Sequence, residues 1–279
     1  MLEGLLEEKI VCPDCRRKIR LEEECLICLC CGRKYPLCSG IPDFLASQEE
    51  RTLSWKSADP LSYEKDLESI PYWRLRRIDR PLIDSAFGDV LEIGCGTCRL
   101  AAQIEGKKAN FFGLDPMPEY LAFAKQKRGQ KKLVRAKGEK LPFADASFDT
   151  VISGFYAFRY IDPAIGLPEA RRVLKKGGRF TLEMLNHWLL NMIEYKNRIK
   201  YGAKPQNTLP REAGGHYDFK NFPELRRLAE GSGFRIEKIY SCPVSPVFPH
   251  LNRYLSGCYL RGKMIVYLGL DVIIELRAV

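Results

Sequence analysis

Apolar residues along the chain fall into two rhythms. Val90-Leu91-Glu92-Ile93, Ala109 to Leu114, Lys132 to Ala136, Phe148 to Ser153 and Arg179 to Met184 are short, mostly apolar runs, which read as strands buried on both faces. Phe234 to Tyr240 and Asp271 to Val279 are two further strand candidates. Elsewhere the period lengthens. Ile70 to Ser85 places Trp73, Ile78, Leu82 and Ile83 among Arg74, Arg76, Arg77 and Arg80, predicting an amphipathic helix broken at Pro81. Thr97 to Ile104 and Pro168 to Lys176 read as helices too. Strands alternating with helices predict an α/β domain, whose ligands bind outside the carboxyl ends of the strands.

The first strand runs into Gly94-Cys95-Gly96-Thr97-Cys98-Arg99. Gly94 and Gly96 allow a tight turn and a close approach of backbone to ligand. A dinucleotide fold needs a third glycine where this chain has Arg99, which argues against NAD or FAD. The second strand ends in Asp115, about 20 residues further on, where one carboxylate can accept both hydroxyls of a ribose. The third strand leads into Gly138-Glu139-Lys140-Leu141-Pro142-Phe143-Ala144-Asp145-Ala146-Ser147-Phe148-Asp149.

These three segments, in this order, resemble the motifs of class I S-adenosylmethionine (SAM)-dependent methyltransferases of the ubiquinone/menaquinone type. The resemblance is close over residues 70 to 185 and looser to 279, and includes the helix-to-strand junction Glu169 to Arg179. It implies a seven-stranded Rossmann-like sheet with helices on both faces. It also implies SAM as cofactor, with Glu92, Gly94, Cys95 and Gly96 around its amino-acid end and Asp115 on the ribose. Pro116, Met117, Gly138 and Glu139 would lie beside the adenine; independently, the switch-point rule puts Ser153, Gly154, Phe155 and Tyr156, at the carboxyl end of the fourth strand, near the departing methyl group. Two positions depart from the family pattern: Cys98 replaces the last glycine of the turn, and Lys137 stands where an acid often meets the adenine amine.

The first 45 residues have a different logic. Cys12-Pro13-Asp14-Cys15 and Cys28-Leu29-Cys30-Cys31 form two C-x2-C pairs, each able to bring two thiolates together from one turn. Cys12, Cys15, Cys28 and Cys31 are the preferred ligands of a closed, structural zinc site, although Cys25 and Cys30 offer alternative spacings. The segment resembles the zinc ribbons that precede some methyltransferase domains, among them zinc-bearing rRNA guanine methyltransferases. The expected layout is a ribbon over 1–45, a linker over 46–69 and the methyltransferase domain over 70–279. Eleven cysteines in a chain with no basic-then-apolar leader fit a metal site in a reducing cytoplasm better than disulfides.

The acceptor is the least legible part. His187 and His216 lie in an aromatic-rich stretch within 185–260, expected to form an acceptor-side lid, and with Glu183 they are the candidate general bases. Activated methyl transfer asks mainly for alignment of donor and acceptor. A small metabolite or lipid-linked acceptor is the first expectation. RNA is the second, since the net charge is +10 and the ribbon carries Arg16, Arg17, Lys18, Arg20, Arg33 and Lys34. A SAM-binding scaffold without turnover is the third. The oligomeric state is not legible.

Overall fold

The structure, a computed structural model, describes residue 4 and residues 8–45, 59–69, 72–185, 222–243, 260–261 and 269–279. At the N-terminal end, β1 (Ile19–Glu22), β2 (Cys25–Cys28), β3 (Lys34–Cys38) and β4 (Ile41–Pro42) form an antiparallel sheet in sequence order. Two helices follow, α1 (Pro60–Ser69) and α2 (Tyr72–Ser85). The expected linker therefore contains a helix. Its start is fixed by Asp59, whose carboxylate accepts the N–H groups of Leu61 and Ser62 at 3.2 and 3.0 Å. The expected break at Pro81 is also absent. Pro81 and Leu82 are both buried, and their packing outweighs the one hydrogen bond that the ring removes.

The larger sheet begins with β5 (Asp89–Ile93) and continues through α3 (Ala101–Glu105), β6 (Asn110–Asp115), α4 (Pro118–Arg128) and β7 (Leu133–Arg135). It then takes β8 (Phe148–Ser153), a 3-10 turn at Ala157–Tyr160, α5 (Pro163–Val173), β9 (Leu174–Leu185), α6 (Phe222–Gly231) and β10 (Phe234–Pro243). The two-residue β11 (Leu260–Arg261) and β12 (Gly269–Ala278) complete it. The strand order is β11-β10-β12-β9-β8-β5-β6-β7. From β7 to β9 all pairs are parallel, and β12, β10 and β11 are antiparallel additions. This is the expected Rossmann-like methyltransferase sheet of seven strands, with β11 as a short extra edge.

The chain order reverses at β5, which pairs with β6 on one side and β8 on the other, so the crevice between β5 and β8 is the switch point. Both faces of the sheet are buried. Leu91, Ile93, Phe112, Phe143, Phe148, Val151 and Phe180 pack on one face, and Val90, Leu100, Phe111, Leu121 and Ile152 on the other. Ile10, Cys12, Leu26, Cys28, Tyr35 and Phe44 of the N-terminal segment belong to the first of these clusters. The cysteine segment and the sheet thus share one core.

Candidate functional site

Three strand ends build the cleft. At the end of β5, Gly94 has φ +74°, and a β-carbon there would lie 2.3 Å from that of Ala157, so no other residue fits without displacing the turn after β8. The N–H groups of Gly94 and Cys95 both donate to the Leu114 carbonyl, at 2.8 and 3.0 Å. They tie the turn to β6 and do not face a ligand. The regular helix starts only at Ala101, four residues later than the sequence predicts, because Cys98 takes a left-handed φ of 57° where the family pattern has glycine. The Cys95 and Cys98 sulfurs pack beneath the turn, 2.8 and 3.3 Å from the position a β-carbon on Gly113 would occupy. Cys98 therefore does not crowd the cleft.

Glu92 and Asp115 face the cleft from neighbouring strands. Glu92 is 4% exposed, and its Oε2 has no hydrogen-bond partner among the described residues. Burial drives its pKa up to about 8, the charge of Arg99 opposing this and those of Asp79 and Asp115 adding to it. Such an orphaned acceptor in a buried carboxyl is costly unless a cationic donor meets it. Asp115 accepts the Gly96 N–H on Oδ2 at 2.8 Å and the Met117 N–H on Oδ1 at 2.9 Å. Burial raises its pKa to about 6 against these two bonds. Each carboxylate oxygen keeps acceptor capacity for a second donor.

Around this pair stand Phe155 and Tyr156, expected from the strand order, together with Asp79, Tyr63, Glu64 and Tyr120, which the sequence did not single out. Arg99 makes a two-pronged ion pair with the buried Asp79 of α2 and lies 5.8 Å above the Phe155 ring. From α1, Glu64 accepts the Thr97 hydroxyl and the Arg128 guanidinium, holding Tyr63 over the glycine turn. Tyr63 packs on Tyr120 with ring centroids 5.3 Å apart and meets Phe155 edge-on at 6.1 Å, while Phe155 lies 5.8 Å from Tyr156. Phe155 and Tyr156 have φ of 49° and 60°, a left-handed pair of bulky residues of the strained kind found at binding sites. Glu183 holds that turn by accepting the Phe155 N–H at 2.6 Å. It could not be foreseen from sequence which strand ends would meet these aromatics, because α1 carries no periodic signal.

The remaining predicted residues divide. Met117 is buried at the start of α4, next to Pro116. Gly138 faces Ile161, where a β-carbon would meet Cδ1 at 2.3 Å, and lies against Ile93 at the end of β5, while Glu139 accepts the Asp162 N–H at 3.2 Å, so this segment packs between β5 and the turn after β8. Ser153 is fully buried and donates its hydroxyl to the Ile93 carbonyl at 2.9 Å, joining β8 to β5. Its hydroxyl hydrogen is not turned to the cleft. His187 and His216 lie outside the described residues, as do 186–221 and 244–259, most of the expected lid.

Cys12, Cys15, Cys28 and Cys31 form a second site, their sulfurs all within 4.8 Å of one another. Cys12 and Cys31 are 3.7 Å apart, and Cys15 and Cys28 3.3 Å. Four thiolates about 2.3 Å from a tetrahedral zinc ion would stand about 3.8 Å apart, so the set fits such an ion. The two knuckles match: Arg16 and Gly32, each following the second cysteine of its pair, have φ of 58° and 71°. Cys25 and Cys30 are not in the cluster.

Comparison with known proteins agrees with this geometry. Residues 91–182 match the family described as "Methyltransferase domain". An uncharacterised methyltransferase of Mycobacterium bovis is 32% identical over 170 residues, covering 59% of this chain and 67% of that protein. A demethylmenaquinone methyltransferase of Chlorobaculum tepidum is 36% identical over 113 residues, 38% of this chain and 46% of its own length. The crystal structure of a SAM-dependent methyltransferase from Thermotoga maritima is similar in fold, with TM-score 0.50 and 23% identity over 75% of this chain and 95% of that one.

Proposed function

The chain belongs to the class I SAM-dependent methyltransferases, and on that premise we propose that it methylates a small metabolite or a lipid-linked intermediate, with a structural zinc ion in its N-terminal ribbon. SAM supplies a methyl group already activated by its sulfonium. The chain's own residues bind, orient and exclude water. In this reading Glu92 receives the cofactor's ammonium group on the orphaned Oε2, and Asp115 accepts the ribose hydroxyls. Pro116, Met117, Gly138 and Glu139 flank the adenine. Gly94, Cys95 and Gly96 shape the turn beneath, and Ser153 braces it. Cys12, Cys15, Cys28 and Cys31 hold the zinc with no ligand position left for substrate. His187 and His216 are proposed as bases for an acceptor hydroxyl or thiol.

The observation that carries the acceptor reading is the aromatic mouth formed by Tyr63, Tyr120, Phe155 and Tyr156 beside the glycine turn. Tilted and edge-on rings grouped at a switch point suit a flat or apolar acceptor. The similarity to a demethylmenaquinone methyltransferase supports the same class. Three arginines of the RNA alternative pair with acids, Arg16 with Glu169, Arg20 with Glu22 and Arg33 with Asp14, which offsets part of the ribbon's positive charge while each arginine side chain stays more than half exposed. The test is to incubate the purified protein with methyl-labelled SAM and fractionated cell extract. Label in the small-molecule or lipid fraction is expected. Label that enters RNA and is released by ribonuclease would favour the RNA alternative, and SAM binding without any transfer would favour a scaffold.

A further inference from the structure

The cysteine ribbon touches segments that flank the cofactor cleft through two sets of contacts. The first runs through a buried ion pair. Asp43, just after β4, accepts the Arg135 Nη1 at 2.8 Å, and the two side chains are 2% and 7% exposed. The same guanidinium donates from Nε to the Pro116 carbonyl at 2.9 Å. Pro116 lies between Asp115 and Met117, whose N–H is held by the Asp115 carboxylate. The backbone reinforces this line, since Asp43 bridges Arg135 in parallel and Phe44 N–H donates to the Arg135 carbonyl at 2.9 Å, covering the free edge of β7.

The second set starts at the cysteines themselves. Tyr35 Oη lies 3.1 Å from the Cys12 sulfur and donates to Asp14 Oδ2 at 2.8 Å, while Asp14 Oδ1 pairs with Lys140. Ile10 bridges Phe143, and the Val11 N–H donates to the Pro142 carbonyl at 3.0 Å. Residues 140–144, which directly follow Gly138-Glu139, are thus held against the N-terminal segment.

We propose that Asp43 and Arg135 are positioning residues that couple metal occupancy of the ribbon to cofactor binding, making the ribbon part of the cofactor site. A ribbon without metal has little core of its own and loosens. Asp43 then no longer fixes Arg135, and the Pro116 carbonyl loses its donor beside the ribose-binding carboxylate. The coupling is reciprocal: cofactor bound in the cleft must tighten the hold on the metal by the factor by which metal tightens the cofactor. This inference rests on the reading of the cleft as the SAM site and of the cysteines as a zinc site.

The test measures transfer of zinc from the zinc-loaded full chain to a chromogenic chelator, with and without saturating S-adenosylhomocysteine, alongside calorimetry of that ligand. In the wild type the ligand is expected to slow zinc transfer severalfold. The paired substitution Asp43→Asn with Arg135→Met leaves no uncompensated buried charge. It is expected to bind the ligand more weakly and to release zinc at nearly the same rate with or without it. A merely structural pair would change both release rates together and leave their ratio intact. Ligand binding with no effect on wild-type zinc release, or full protection in the paired variant, overturns the inference. A wild type that fails to bind the ligand, or takes up no zinc, would instead overturn the underlying reading and the inference with it.

Discussion

Burial favours the protonated form of the Glu92 carboxyl near neutral pH, and cofactor binding is a proton-linked event if Glu92 receives the cofactor's ammonium group as proposed. Its folded pKa, about 8, lies above the ordinary value of 4.5 because the carboxyl is buried, with Arg99 opposing and Asp79 and Asp115 reinforcing the rise. An acid shifted upward takes up a proton on folding, so its contribution to stability declines as pH rises from 4.5 towards 8. An ammonium group brought to Oε2 reverses the preference and expels the proton. At about pH 7, S-adenosylhomocysteine should therefore bind with release of nearly one proton, read as a binding heat that varies with the buffer's ionisation enthalpy, and Glu92→Gln should abolish that dependence. Buffer-independent heat in the wild type would refute the assignment. Asp115→Ala should weaken the ligand by about 2 kcal/mol, because two hydroxyl contacts to a charged group are lost. Glu92 and Asp115 were legible because each is an acid closing an apolar run at a fixed distance from the glycines. Arg99 was legible only as a bulky residue that excludes a dinucleotide. Its partner Asp79 sits on another element, and sequence spacing carries no sign of that pairing.

The strands of the larger sheet follow the apolar runs closely, since burial on both faces leaves little room for polar residues. The glycine turn shows what patterning cannot convey. Cys98 departs from the family pattern, yet the departure is absorbed from below: Gly113 on β6 leaves the space that the Cys95 and Cys98 sulfurs fill. Gly113→Ala should accordingly overpack this contact and destabilise the protein by about 1 to 3 kcal/mol in chemical denaturation. Little or no loss would mean that the sulfurs move freely. Helix α1 escaped the sequence because its face towards the cleft is built from Tyr63 and Glu64, which bind by stacking and charge and leave no apolar period.

At the scale of the molecule, the convergence of Cys12, Cys15, Cys28 and Cys31 was legible, but the place of their segment in the main core was not. Tyr35 and Phe44, with ring centroids 5.0 Å apart, join the same cluster as Phe143 and Phe148, and no local pattern announces a contact across so much sequence. Removal of the metal by a chelator should therefore lower the thermal midpoint of one cooperative transition. Two separate transitions, with the second unmoved, would show that ribbon and sheet melt independently. The account stands most directly on the cleft itself, and a crystal structure of the protein with S-adenosylhomocysteine tests it. The predicted result is the ligand at the carboxyl ends of β5 and β6, its amino group within hydrogen-bonding distance of Glu92 Oε2 and its ribose hydroxyls on Asp115. A ligand bound elsewhere, or one that leaves Glu92 without a partner, would contradict it.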